Sequence, residues 1–235
     1  MNRFVPPQCQ HCPSRHNSLL RCCADADLEM ISLGKTSQQY AAGQVIFREG
    51  SRSLGLYCVH EGKIKITKTG GDGKEQIIRL AKNGDTLGYR GLVTGTPHSA
   101  SAVALDDCTV CLVPKQDFFQ QLNTNANFSG ALIQLLATVL SEAEGRMLHL
   151  AYKPVRERLA EALLLLMRTF RSEGDVQPFT LAISRDDLGA LMGTTKETTT
   201  RMLSEFKNEG ILTTRGSAIT ILAPVKLVEL ATLYD

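Results

Sequence analysis

Between Tyr40 and Val113 glycine cuts the chain into short runs of alternating or apolar residues. From Phe128 onward that pattern gives way to a helical one. This change of period is the strongest constraint on the fold, because one regular element cannot serve both halves. Gln44-Val45-Ile46-Phe47 lies between Gly43 and Gly50, and Leu56-Tyr57-Cys58-Val59 stops at Glu61-Gly62. Lys63-Ile64-Lys65-Ile66 alternates with a period of two, the mark of a half-buried strand. Gly70-Gly71-Asp72-Gly73 reads as a hairpin turn before Gln76–Leu80, and Asn83-Gly84-Asp85 turns the chain again. Ala100–Leu105 and Thr109–Val113 complete the set. Closely spaced short strands of this kind predict a barrel or a double-sheet jelly roll.

The helical half predicts one long helix and then a small C-terminal domain. Leu132, Leu136, Val139, Ala143 and Leu150 lie on one stripe, with Leu140 and Met147 beside it. That spacing is close to a heptad seam and predicts pairing with a second copy of the helix. The alternative is a helix packed only on its own barrel. Pro154 ends the helix, since proline lacks the N–H and restrains the residue before it. A second apolar helix runs from Arg156 to Phe170, and Arg171 to Pro178 is a polar loop. Ser184 and Asp187 form a capping box ahead of Leu188, Leu191 and Met192. Gly193 turns the chain, Thr194-Thr195 caps a helix from Lys196 to Asn208, and Gly210 ends it. Ile211–Thr214 and Ala218–Ile221, joined by Arg215-Gly216-Ser217, read as a two-stranded wing.

Composition excludes several classes. The chain has 235 residues, 43% hydrophobic, which suits one large or two small folded domains and excludes disorder over most of its length. No apolar run reaches the ~18 residues of a membrane span. Met1–Gln10 lacks the apolar core of a secretory signal, so a cytoplasmic location is expected. A net charge of +2 is too small to announce a nucleic-acid partner, so any DNA-binding face must be local. With no Trp and 6% aromatics, stacking on single strands is a poor expectation. Enzyme motifs are missing too: there is no P-loop, G-x-G-x-x-G or nucleophile triad, and the barrel region supplies only His60 and His98, with no His-x-His pair.

Seven cysteines need a reason: Cys9, Cys12, Cys22, Cys23, Cys58, Cys108 and Cys111. An odd number in a reducing compartment argues against a disulfide framework. Four of them fall within the first 23 residues, a segment without apolar period that needs a metal or a tertiary surface to become ordered. Cys58 sits mid-strand among apolar neighbours and reads as a core thiol, and Cys108, after Asp106-Asp107, reads as a passive one.

Helix, glycine turn, helix is a helix-turn-helix pattern. On its second helix Met202, Leu203 and Phe206 point to the core, while Glu197, Thr200 and Arg201 share the opposite face. Arginine can bond guanine O6 and N7, and a carboxylate can accept from cytosine N4. Lys196 and Lys207 flank this face and suit phosphates. The competing reading is an i,i+4 salt bridge between Glu197 and Arg201 on a solvated face.

The run Arg185-Asp-Asp-Leu-Gly-Ala-Leu-Met-Gly-Thr-Thr-Lys-Glu-Thr-Thr-Thr-Arg-Met-Leu resembles the winged helix-turn-helix of the CRP/FNR transcription regulators. The resemblance continues through Gly43–Gly50, Gly62, Gly84-Asp85, Leu87-Gly88, the long helix and Arg158-Leu159-Ala160. It implies an α+β fold. A cysteine-rich arm (1–27) and a cyclic-nucleotide-binding-type β-roll (28–124) precede a dimerisation helix (125–153) and a winged helix-turn-helix DNA-binding domain (154–235). It further implies a homodimer on a palindromic operator of double-stranded DNA, working with RNA polymerase. Glu197, Thr200 and Arg201 fall on the family's base-reading positions, and the half-site implied is of TTGAT or TGTGA type, with the first favoured. The centre of the dimer seam would be Leu136, Val139, Leu140, Ala143 and Met147.

The resemblance also bears on the signal. Where cAMP-dependent members carry a ribose-binding glutamate and a phosphate-binding arginine, this chain has Tyr89 and His98; Ala143 and Glu144 replace the base-gripping hydroxyl pair. Cyclic-nucleotide control is therefore not expected, because a buried anion without its arginine is costly. The oxygen-responsive branch instead carries N-terminal cysteines and one barrel cysteine. Cys9, Cys12 and the following Pro13-Ser14-Arg15-His16 look like that branch, and Cys111 matches the barrel cysteine. The implied cofactor is a [4Fe–4S] cluster on Cys9, Cys12, Cys22 and Cys111, with Cys23 as the alternative third ligand. The spacing departs from the family: nine or ten residues follow Cys12 where five or seven are usual. A second departure is Ala143, with Glu144 beside it, where an acidic seam residue is common; such a seam dimerises more readily. Zinc on the N-terminal Cys/His set, a thiol–disulfide switch and another small effector remain as alternatives.

Overall fold

The glycine-cut runs pair into two antiparallel sheets. In the computed structural model, which describes residues 4–172, 174–175 and 177–232, the strands are β1 (Thr36–Tyr40), β2 (Val45–Phe47), β3 (Gly55–Glu61), β4 (Ile64–Thr69), β5 (Glu75–Ala81), β6 (Thr86–Leu87), β7 (Ser101–Ala104) and β8 (Cys108–Pro114). Met1–Arg3 at the start of the arm, Glu173 and Val176 in the polar loop, and Leu233–Asp235 at the end of the C-terminal segment lie outside the described residues. One sheet has the order β1-β8-β3-β6 and the other β2-β7-β4-β5, the double-sheet roll expected from the spacing of the turns. β1 lies wholly before Gln44–Phe47, the first strand expected from the sequence. Its polar, mostly exposed run Thr36-Ser-Gln-Gln-Tyr carries no apolar signal, and pairing with β8 makes it a strand.

Internal contacts gather the chain into two units, Met1–Lys68 with Arg79–Leu140 and Thr69–Ile78 with Ser141–Asp235. In the first unit, Tyr57 and Val59 of β3 face the roll interior, and Leu56 and Cys58 face the other way. There Leu56 and Val113 join a core with Leu19, Leu20, Leu28 and Ile31 of the N-terminal segment and Phe118, Phe128 and Leu132 of the helices. Those helices are α1 (Asp25–Gly34), α2 (Tyr89–Thr94), α3 (Lys115–Thr124) and the start of α4 (Ala126–Tyr152). α2 and α3 were not anticipated from periodicity; each is short and buries few side chains. The arm does not need to fold alone. It lies on the outer face of the first sheet as two 3-10 turns, Pro13–Asn17 and Leu19–Cys22.

On α4 the apolar repeat is rotated from the expected stripe. Leu132 is buried in its own chain, whereas Ile133, Leu140 and Met147, seven residues apart, are each at least 60% exposed. Leu136 and Val139 are half-buried and Ala143 is exposed.

In the second unit α5 (Val155–Phe170) starts directly after Pro154 and buries Leu159, Leu163 and Leu166. It packs against α6 (Arg185–Met192) and α8 (Pro224–Ala231). α7 (Lys196–Asn208) follows the Gly193 turn. The wing has three strands rather than two: β10 (Leu212–Arg215) pairs with β11 (Ala218–Ile221), and β11 with β9 (Thr180–Ala182). β9 is only three residues long and was hidden beside the polar loop.

Candidate functional site

The arm and the first sheet border a partly open cavity lined by Cys9, Cys12, Cys58, Cys111, Lys35 and His60 among others. Each group arrives for a local reason. On β3 the period of two carries Leu56, Cys58 and His60 to the arm-facing side. On β8 the register sets Cys111 directly opposite Cys58, with Ser37 of β1 on its other flank, and the Ser37 hydroxyl lies 3.3 Å from Cys111 Sγ. The arm is pinned by its polar groups. The Ser14 hydroxyl donates to the His60 carbonyl (2.7 Å), Cys12 Sγ lies 3.3 Å from His60 Nδ1, and Cys9 N–H donates to the Ser32 hydroxyl. Gly84, with φ +90°, lets the arm approach: a Cβ there would sit 2.7 Å from Cβ of Asn17 and 2.9 Å from the Ser14 carbonyl.

Lys35 supplies positive charge to this cavity. Its ammonium donates to the Pro7 carbonyl and lies 3.6 Å from Cys111 Sγ. Burial pushes the Cys9 thiol pKa up, while the Lys35 charge pulls it down. Burial pushes Cys58 well above the usual thiol range, reinforced by the neighbouring Cys111, Cys9 and Cys12 sulfurs. Loading this site with a metal centre would therefore release protons.

The seven cysteines divide by surroundings. Cys22 ends the second 3-10 turn away from the cavity, and its carbonyl accepts from the Asn125 side chain (2.8 Å). Cys23 is buried in the core beside Cys22 and Cys9, and burial raises its thiol pKa to about 12. The expected set is thus brought together at Cys9, Cys12 and Cys111 but not at Cys22. Cys108 donates to the Lys63 and Asp106 carbonyls beneath Gly62; burial holds its pKa at about 11. An iron–sulfur cluster, which the resemblance implies, needs several thiolates converging on one space, each on its own iron. Four cysteines, Cys9, Cys12, Cys58 and Cys111, line this one cavity. Among the described residues no three His, Cys, Asp or Glu groups are close enough to hold a single metal ion, so tetrahedral zinc would require rearrangement.

Inside the roll, Tyr89 is buried and its hydroxyl accepts from Arg79 (3.0 Å). His98 is buried with its ring stacked on Phe47 at 4.1 Å, and burial lowers its pKa. The two positions that differ from cAMP-dependent regulators are thus packed against protein.

The candidate DNA-reading face is built by capping and burial. The Ser184 hydroxyl accepts from Asp187 N–H (2.9 Å) and starts α6; Gly193, φ +67°, closes it. Thr195 caps α7 by accepting from Thr198 N–H. Thr199, Met202, Leu203 and Phe206 are buried, while Lys196, Glu197, Thr200, Arg201 and Lys207 are exposed. No ion pair joins Glu197 to Arg201 among the described residues. Lys196 instead pairs with Asp186 of α6 at 2.8 Å, and the Thr200 hydroxyl donates to the Lys196 carbonyl. Ser204, one heptad after Glu197, extends the same exposed face and was missed as a polar residue without charge. Arg156 supports the helix from behind: its guanidinium bonds Glu209 at 2.7 and 2.8 Å and stacks on Phe206.

Comparison with known proteins bears directly on this architecture. Residues 37–125 match the cyclic nucleotide-binding domain family and residues 157–230 the Crp-like helix-turn-helix domain family. The fumarate and nitrate reduction regulatory protein of Vibrio cholerae is 32% identical over 190 residues, 80% of this chain and 76% of that protein. The chain belongs to the CRP/FNR family. Another relative is the transcriptional activator protein anr of Pseudomonas aeruginosa, 28% identical over 84% of this chain and 81% of that one. Among solved structures, FixK2 from Bradyrhizobium japonicum superposes with a TM-score of 0.73 at 30% identity, covering 83% of this chain and 96% of that one. A CRP/FNR regulator from Thermus thermophilus superposes with a TM-score of 0.72 at 27% identity, covering 85% of this chain and 100% of that one. This CRP/FNR member is a DNA-binding transcription regulator, with the β-roll, long helix and helix-turn-helix of its family. No described helix is long and apolar enough to cross a membrane.

Proposed function

We propose that the chain acts as a homodimer on a palindromic operator and couples DNA binding to oxygen or redox state through a [4Fe–4S] cluster between arm and roll. One observation carries the reading: Cys9 and Cys12 of the arm share a cavity with Cys111 of β8. When bound, a cluster would supply an oxygen-labile link there. The chain's own residues do the rest. Cys9 and Cys12 hold the arm, and Lys35 offsets negative charge beside Cys111 and Cys9. Asn125 binds the Cys22 carbonyl and also accepts from Phe128 N–H at the start of α4. Arm and dimer helix therefore share a polar contact, through which the arm's state biases assembly.

At the DNA, Glu197, Thr200 and Arg201 read bases, Lys196 and Lys207 hold phosphates, and RNA polymerase is the downstream partner. The exposed line of α4 around Leu140, Ala143 and Met147, flanked by Leu136 and Val139, forms the dimer seam. The name of the Vibrio cholerae relative, which refers to fumarate and nitrate reduction, supports this reading.

The test is operator binding without oxygen and after exposure to air, with iron and acid-labile sulfide measured on the same samples. Affinity should fall in air, incompletely given Ala143, and Arg201→Ala should cost roughly 1–3 kcal/mol at one guanine position under both conditions. Oxygen-indifferent binding by iron-free protein would refute the sensor reading and leave the DNA-reading one. An unchanged footprint with Arg201→Ala would refute the assignment of the reading face.

A further inference from the structure

We propose that Cys58, rather than Cys22 or Cys23, completes the sulfur set of the cavity with Cys9, Cys12 and Cys111. The inference rests on the cluster reading above and names a ligand beyond the family pattern.

Cys58 and Cys111 stand directly opposite on neighbouring strands, β3 and β8. Such a pair has its Cβ atoms about 4.5–5.5 Å apart and both side chains on one face. Two ligands held by a sheet are positioned before any metal arrives. Cys58 also lines the same cavity as Cys9, Cys12 and Cys111. Cys23 is buried in the apolar core with Leu20, Leu28 and Phe128. Neither Cys22 nor Cys23 lines the cavity, and Cys22 is tied through its carbonyl to Asn125. Cys58 packs against the apolar core on one side and borders the cavity on the other. The long spacing after Cys12 fits the same conclusion, because no third arm sulfur has to reach the site when a strand supplies one.

The experiment uses full-length protein purified without oxygen and reconstituted with ferrous iron and inorganic sulfide. Iron, acid-labile sulfide and visible absorption are measured for wild type, Cys58→Ser, Cys111→Ser and the double variant Cys22→Ser/Cys23→Ser. Unfolding midpoints of the metal-free proteins check that each is folded, and Cys58→Ala gives a second packing at that position. Cys58→Ser, Cys58→Ala and Cys111→Ser should fall to background iron and sulfide, while the double variant stays at the wild-type level. The double-variant result does not depend on how Cys58 substitutions fold. Full loading of Cys58→Ser, or background loading of a folded double variant, would overturn the proposal and leave the cluster reading intact. A wild type that takes up neither iron nor sulfide would overturn both.

Discussion

At Gly84 one absent carbon lets the arm lie against the roll. Its positive φ would strain any side chain, and the Asn17 and Ser14 contacts leave no space for one. Gly84→Ala should weaken arm docking by about 1–3 kcal/mol and leave the roll folded. Limited trypsin digestion should then cleave faster after Arg15 and Arg21; an unchanged rate would mean that the arm is anchored elsewhere. The cysteines show the limit of reading residues one at a time. Cys9, Cys12 and Cys111 were recognisable by pattern, because paired arm cysteines need a chemical reason. Cys58 was read as core because its sequence neighbours are apolar. Its partner lies on another strand, and strand register is a tertiary fact. The alternation Cys58-x-His60 did carry a signal, since it places both groups on one strand face. Lys35 carried none; it is one lysine among ordinary surface residues until β1 and β8 bring it beside Cys111.

At the scale of elements, α4 is the instructive case. Its apolar repeat was legible, but two competing surfaces want the same helix. The first unit takes Leu132 into its core with Phe128 and Phe118, and that choice rotates the remaining repeat toward Ile133, Leu140 and Met147. Leu140 is 60% exposed in one chain, so a charge there costs the folded chain little. Against a twin helix the same charge would be desolvated. Leu140→Glu should therefore convert dimer to monomer in sedimentation without lowering the unfolding midpoint of the roll. A full dimer with this variant would move the seam off this face. α7 was simpler, because its caps and its buried Met202, Leu203 and Phe206 all agree with one local pattern.

For the whole molecule, a net charge of +2 means that DNA affinity must come from where the cations are placed. The structure separates two lysines that the sequence treats alike. Lys196 is paired with Asp186, whereas no ion pair holds exposed Lys207 among the described residues. Lys207→Ala should lower the magnitude of the log–log salt slope of operator binding by about one. Lys196→Ala should lower it less; equal slopes for both, read by fluorescence anisotropy across salt concentrations, would contradict this distinction. The sequence by itself determined the roll, the long helix and the helix-turn-helix. Those features arise from local period, glycine turns and caps, which act within a few residues. Only the tertiary structure decided that the arm lies on the outer sheet, that α4 turns Leu132 inward, and that Cys58 faces Cys111. Each of these depends on register or on competition between distant apolar surfaces, and no local pattern encodes which surface wins.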